Sequence, residues 1–263
     1  MFKFLRQILV YKFLRQIFYF FKYYSGPYKT WKAAQRKSVG YNHKQIISKV
    51  RESALKAKNS KTQFEIDSII FQKPYRDIHF KKILLNLAKK NNSIKILDFG
   101  GSLGSSYYRY KDILSSQKKI KWSIIEQNAF VKIGKKEFQD KKLNFYYSFE
   151  EFIKKNKKRQ IDIFLLSSSL QYIKDYKKII NKVHRLKPDY LIILKTPMNK
   201  TENDSIYIEK VPKNIYGSSY PSWVFSKKKL INFFSNYKLV HDKIVNPHIY
   251  SIYFHNLFFK KND

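Results

Sequence analysis

The sequence predicts an α/β fold: a mostly parallel seven-stranded sheet covered by helices on both faces, a C-terminal antiparallel hairpin, and a helical extension at the N-terminus. Three observations predict it. From residue 77 onward, short apolar runs alternate with stretches of helical periodicity, the pattern of strand–helix–strand crossovers. Three of the chain's seven glycines fall within five residues, Gly100–Gly104, directly after one of those runs. Two β-rich runs near the C-terminus flank Asn246-Pro247-His248, which reads as a hairpin. With 263 residues, 43% hydrophobic and 17% aromatic, the chain can bury a full core. The absence of cysteine excludes disulfides, thiolate metal sites and a cysteine nucleophile, and it suits a cytoplasmic protein without a bound metal.

In order along the chain, residues 1–24 are basic and aromatic and carry the hexapeptide KFLRQI twice, at Lys3–Ile8 and Lys12–Ile17. The interspersed charges exclude a membrane span. The nine-residue repeat turns a helix by about 900°, so the two copies face opposite sides of it. This segment is either a docking helix or a peripheral anchor on an acidic membrane, such as the inner face of the plasma membrane. Residues 25–76 form a second section, with a turn signal at Ser25-Gly26-Pro27-Tyr28, a helical stretch His43–Lys58 and an apolar patch Phe64–Phe71. Residues 77–263 form the main domain. Its strands are Ile94–Phe99, Lys121–Ile125, Leu143–Tyr146, Ile161–Leu166 and Asp189–Leu194, then the hairpin runs Lys238–Val245 and Tyr250–Phe259. Helices cover Asp77–Lys90, Ser105–Leu114, Asn128–Phe138, Phe149–Lys155, Asp175–Leu186 and Lys227–Phe234. The stretch 197–225, rich in Tyr, Pro and Ser, is an insert at the carboxyl end of the fifth strand, where open α/β sheets bind ligands.

A glycine-poor chain concentrates glycine where backbone must approach a ligand closely or adopt positive φ. A P-loop is excluded at Gly100–Gly104, because no Gly-Lys-Ser/Thr follows. The dinucleotide fingerprint would need its first glycine at Phe99. The D/E-x-G-x-G-x-G turn of S-adenosylmethionine-dependent enzymes finds Asp98, Gly100 and Gly104 in place, with Ser102 at its middle glycine. Glu126 ends the second strand, 22 residues after Gly104, where a carboxylate accepts hydrogen bonds from both ribose hydroxyls. That position supports an adenosine ligand without choosing among them.

Together, Asp98–Gly104, Glu126, the Ser167–Tyr172 segment and the closing hairpin resemble a class I, Rossmann-like S-adenosylmethionine-dependent methyltransferase. More narrowly, LDFGGSLGSSY (97–107), IEQ (125–127), LSSSLQYI (166–173) and VPKNIYGSSYPSW (211–223) are similar to a methyltransferase family associated with bacterial surface-polysaccharide and lipopolysaccharide gene sets. The resemblance implies S-adenosylmethionine as cofactor, held by Asp98, Gly100, Gly101, Ser102 and Gly104 around its methionine part. Glu126 would hold the ribose, with Gln127 beside it also binding cofactor, Tyr147 and Ser148 would flank adenine, and Ser167 and Leu170 would lie beside the transferring methyl. Gln171, Thr196, Tyr216, Tyr220 and Trp223 are candidate acceptor contacts. No general base is assigned: His241, His248 and His255 lie on the hairpin, and His184 on a crossover helix.

The formal charge of +35 draws anions to the surface, although A/T-rich codon usage also supplies lysine. The expected activity is O-methylation of a glycan or glycolipid. Nucleic acid is less favoured as a partner, because the cysteine of cytosine C5 chemistry and an Asp/Asn-Pro-Pro-Tyr/Phe motif are both missing. A silent binding subunit that keeps the fold is the third reading.

Overall fold

A computed structural model describes residues 22–40, 44–60, 62–91, 93–114, 119–156, 160–245 and 251–262. The doubled KFLRQI segment and His248 lie outside these residues. In chain order the first elements are β1 (Tyr24–Tyr28), α1 (Trp31–Arg36), α2 (Lys44–Asn59), β2 (Phe64–Ile66), β3 (Ile69–Phe71) and α3 (Ile78–Lys90). The central run is β4 (Ser93–Phe99), α4 (Ser105–Tyr110), β5 (Lys119–Ile125), α5 (Asn128–Ile133), β6 (Leu143–Tyr146), α6 (Phe149–Asn156), β7 (Ile163–Ser167), α7 (Tyr176–Leu186) and β8 (Tyr190–Asn199). The chain closes with β9 (Ser205–Val211), β10 (Ser218–Ser226), α8 (Lys227–Asn232), β11 (Tyr237–Ile244) and β12 (Tyr253–Lys261).

The main sheet has ten strands, where the sequence predicts seven. The seven are present: β6-β5-β4-β7-β8 pair in parallel, β12 adds antiparallel to β8, and β11 pairs with β12. The three additional strands come from segments read as turn and insert. β9 and β10 form an antiparallel hairpin, β1 pairs with β9, and β10 joins β8 at Phe225↔Met198. Prolines hid two of these strands, β1 and β10. Pro27 lies on the outermost strand beside a register shift, and Pro221 lies in the stretch of β10 that pairs with β9 ahead of the junction with β8. A missing N–H is tolerated at such edges and irregularities. The Phe64–Phe71 patch is a separate two-stranded sheet, β2–β3.

Burial on both faces explains the continuous apolar strands. In β7, Ile163 and Leu165 join one core cluster with Phe80, Ile83 and Leu84 of α3, while Phe164 and Leu166 join the other with Ile179, Ile180 and Val183 of α7. The neighbouring β8 repeats this with Ile192 and Leu194 against Leu191 and Ile193. Asp77 caps α3, its Oδ1 accepting from the His79 and Phe80 amides at 2.9 Å. The helix from Asn128 widens into a π turn at Gly134–Phe138; a Cβ on Gly134 would lie 2.5 Å from the Phe145 ring, so that ring packs directly on backbone. No helix among the described residues is long and apolar enough to cross a membrane.

The chain runs outward from β4 to β5 and β6, then returns to β7 on the other side of β4. The carboxyl ends of β4 and β7 therefore mark the topological switch point, where open α/β sheets take ligands.

Candidate active site

The glycine turn leaves β4 at that switch point. Gly100 has φ 74°, and its N–H donates to the Ile125 carbonyl at 2.9 Å, tying the turn to the end of β5. A Cβ on Gly100 would lie 2.5 Å from the Ser169 Cβ, so the turn also abuts the segment leaving β7. A Cβ on Gly101 would lie 2.6 Å from the Asp98 carboxyl carbon; glycine there lets the main chain fold over that side chain. Ser102, at the position of the class pattern's middle glycine, has φ 52°. Gly104 closes the turn through its N–H to the Gly101 carbonyl at 3.1 Å and starts α4.

Two carboxylates frame this turn. Asp98 is fully buried beneath it. Its Oδ2 accepts from Trp122 Nε1 at 3.1 Å, its Oδ1 has no hydrogen-bond partner, and burial pushes it up to about 7. Glu126 is partly buried at the end of β5. Its Oε1 accepts from the Ser102 amide at 3.3 Å and its Oε2 from the Gln127 amide at 2.6 Å. Burial raises this carboxyl and the two amides oppose the rise. One side chain thus spans from the strand end to the glycine turn.

The remaining sequence candidates fall into three groups. Gln127 caps α5, and Ser148 starts α6, its hydroxyl accepting from the Glu151 amide at 3.2 Å. Tyr147 beside it is exposed, with the Lys135 ammonium 4.1 Å from its ring centre. In the segment after β7, Ser167 is partly buried, Leu170 is buried, and Ser169 Oγ and Gln171 Oε1 are buried without partners. The Thr196 hydroxyl is buried on the Leu194 carbonyl at 3.3 Å. On the insert, the Tyr216 and Tyr220 hydroxyls lie 3.0 Å apart. Trp223 is three residues further, on the opposite face of β10, where it stacks on Trp31 at 5.6 Å and donates to the Ile173 carbonyl at 3.1 Å.

The structure adds residues that sequence reasoning missed. Glu65 of β2 accepts from the Ser105 hydroxyl at the start of α4 and, through Oε1, from the Ser68 amide at 2.6 Å. Lys195, with φ 50° at the carboxyl side of β8, is held below its usual range by burial. Arg109 of α4 is buried with an unpartnered Nε. Tyr172 donates from its hydroxyl to Glu209 Oε2 on β9 at 3.0 Å, and burial pushes Glu209 up to about 7. An acid inside the alternating run Ser205–Val211 was the one local sign of Glu209; nothing in the sequence marks Glu65 or Lys195. Asp67, at the turn of β2–β3, acts on Lys195, Tyr216 and Glu209. Glu126 acts on Asp98 at the turn, and Asp67 acts on both Glu65 and Glu209, so these acids couple in two groups within a chain of net charge +35.

The described histidines are engaged elsewhere. His255 Nδ1 lies 2.7 Å from Asp242 Oδ1 within the hairpin, His241 stacks on His79 at 4.3 Å, and His184 packs on Phe234. Among the described residues, no group of three or more His, Cys, Asp or Glu is placed to hold a metal ion.

No family model and no curated protein matches the chain. Among solved structures, the chain is similar to the N-terminal domain of EvdMO1 with SAH bound, at 10% identity over 84% of this chain and 100% of that one, with a TM-score of 0.49. It is also similar to the Burkholderia thailandensis 1,6-didemethyltoxoflavin-N1-methyltransferase with S-adenosylhomocysteine, at 11% identity over 83% and 88% of the two chains and a TM-score of 0.45. Human N-acetylserotonin methyltransferase in complex with SAM gives 13% identity over 70% and 52%, with a TM-score of 0.42. At such distances these likenesses carry no weight of their own.

Proposed function

We propose that the chain is an S-adenosylmethionine-dependent methyltransferase that O-methylates a glycan or glycolipid intermediate. The observation that carries this reading is the single carboxylate, Glu126, reaching from the end of β5 to the Ser102 amide of a glycine turn whose first residue is fixed on the same strand. A strand-end acid beside a close-approach turn suits a ribose diol next to an extended amino-acid tail. The residues fit the group on two further counts. The Glu126 carboxyl beside the turn favours a nearby sulfonium cation, and the unpartnered Asp98 Oδ1 leaves acceptor capacity directly beneath the turn.

In this reading the Gly100–Gly104 main chain takes the methionine part, Glu126 the ribose, and Tyr147 with Ser148 the adenine. Asp98 holds the shape of the turn from below, and Ser167–Leu170 border the reacting side. When bound, S-adenosylmethionine supplies a methyl group already activated by its sulfonium leaving group. The chain's own task is then to hold the acceptor in line and keep water out, which is catalysis by proximity. Tyr172, Tyr216 and Tyr220 supply flat polar-edged surfaces of the kind that suit sugar faces. The basic segment 1–24 would bring the domain to an acidic membrane surface, where a glycolipid acceptor is displayed.

Titration calorimetry with S-adenosylhomocysteine tests the cofactor. Glu126→Ala removes two charge-assisted acceptor atoms and should weaken binding by about tenfold or more. Unaltered affinity in that variant would falsify the assigned role of Glu126. Transfer of labelled methyl to isolated lipopolysaccharide, set against total RNA, then tests the acceptor class; label in RNA alone reverses it.

A further inference from the structure

The insert strand β9 has two unlike faces. Ile206 and Ile208 are buried against Ala34 and Trp31 of α1. Glu209 points the other way, and the strand register sets it beside Tyr24 of β1 and Tyr220 of β10. A carboxylate among aromatic rings is unfavourable unless hydrogen bonds compensate it. Here the Tyr172 hydroxyl donates to Oε2 at 3.0 Å, and the Ser222 and Tyr24 hydroxyls also face the group. A continuous path links it to the glycine turn: Gly100 abuts Ser169, the Ser169 carbonyl accepts the Tyr172 amide at 3.2 Å, and Tyr172 reaches Glu209.

We propose that Glu209 is the group that takes the proton from the acceptor hydroxyl, a role that rests on the methyl-transfer reading above. The acceptor oxygen's lone pair forms the new carbon–oxygen bond to the methyl as the sulfur–methyl bonding pair withdraws onto sulfur, leaving a neutral thioether. The hydroxyl proton passes to the Glu209 carboxylate, which afterwards releases it to solvent. The positive charge of the sulfonium and the negative charge of the carboxylate cancel in the products, so no further reactant is required. Geometry assigns the group, and its proton affinity suits the task. Burial raises Glu209 to about 7, with Asp67 of β2–β3 adding to the rise and Tyr172, Ser222 and Tyr24 opposing it. A base poised near neutrality is the effective kind. Tyr216 and Tyr220 complete the set of titratable groups around it.

The experiment uses the full chain, S-adenosylhomocysteine as the binding probe, and tritium-labelled methyl transfer from S-adenosylmethionine to isolated lipopolysaccharide. Glu209→Gln should bind S-adenosylhomocysteine with unchanged affinity, which also reports its folding, and lose transfer by about 100-fold or more. The infrared carboxyl absorption that titrates near pH 7 in the unsubstituted chain should fall in this variant by the Glu209 share, leaving that of Asp98. Tyr172→Phe removes a donor to the charged form and should move the midpoint of the pH–rate profile upward. Transfer within threefold of the original in Glu209→Gln, or an unchanged titrating band, overturns the assignment. Label recovered as an alkali-labile ester overturns it as well, because a carboxylate acceptor needs no base, and binding without label in the lipopolysaccharide overturns the acceptor class. Absence of S-adenosylhomocysteine binding in the unsubstituted chain is the distinct failure of the parent reading.

Discussion

Replacing Gly100 by alanine perturbs the glycine turn in two separable ways. The first is conformational: φ is 74°, where a residue with a Cβ pays about 1–2 kcal/mol. The second is steric. The new Cβ would lie 2.5 Å from Ser169 Cβ, well inside van der Waals contact, and Ser169 is buried with little freedom to retreat. Overpacking of this kind costs about 1–3 kcal/mol. Gly100→Ala alone should therefore destabilise the chain by about 2–5 kcal/mol. In a Ser169→Gly background the steric part disappears, leaving about 1–2 kcal/mol. Equilibrium urea unfolding followed by tryptophan fluorescence measures the four corners of this cycle, with a coupling of about 1–3 kcal/mol expected between the two sites. Equal penalties in both backgrounds would refute the claim that the β4 turn and the segment after β7 are pressed together at this point.

Three further outcomes follow from the buried groups. Asp98 is raised from 3.8 to about 7 in the folded chain, so its contribution to stability is fully present below about pH 4 and disappears as pH rises through 7. That is worth roughly 4 kcal/mol, and Asp98→Asn should flatten the fall in urea-unfolding free energy across this window; an unchanged slope would contradict the burial argument. Trp122→Phe deletes the donor that favours the charged form of Asp98, so its penalty of about 1–3 kcal/mol should be larger at pH 8 than at pH 5. Ile208→Ala empties a buried site between β9 and α1 and should cost about 2–5 kcal/mol in one cooperative transition; a separate early transition would show that the insert folds on its own.

The parts of the fold that could be read in the sequence are those whose environment repeats locally. Ile94–Phe99 and Ile161–Leu166 are apolar apart from Lys95, Asp98 and Asp162 because both faces of a parallel strand are covered, and Leu143–Tyr146 matches its strand residue for residue. The glycine cluster and Glu126 were readable because turn chemistry and strand ends are local features. The insert was harder. Pro212, Gly217 and Pro221 break its pattern, yet an antiparallel hairpin forms there because the affected backbone has few strand partners to satisfy. Ser25-Gly26-Pro27-Tyr28 misled in the same way, being an edge strand with a register shift. Glu65, Lys195 and Glu209 acquire their character from burial by distant elements, which no local window of sequence records.

β8 has β7 and β12 along its length and gains β10 at its far end, so it belongs at once to the parallel half of the sheet and to the insert hairpin. Between Gly100 and Glu209 the connection passes from β4 through β7, β8 and β10 to β9, each step a ladder of main-chain hydrogen bonds. The gap between those two residues is consequently gauged by the sheet itself, like the jaws of a caliper, and side-chain changes around the site leave that gauge as it is. On the methyl-transfer reading, an acceptor would be measured against a fixed length.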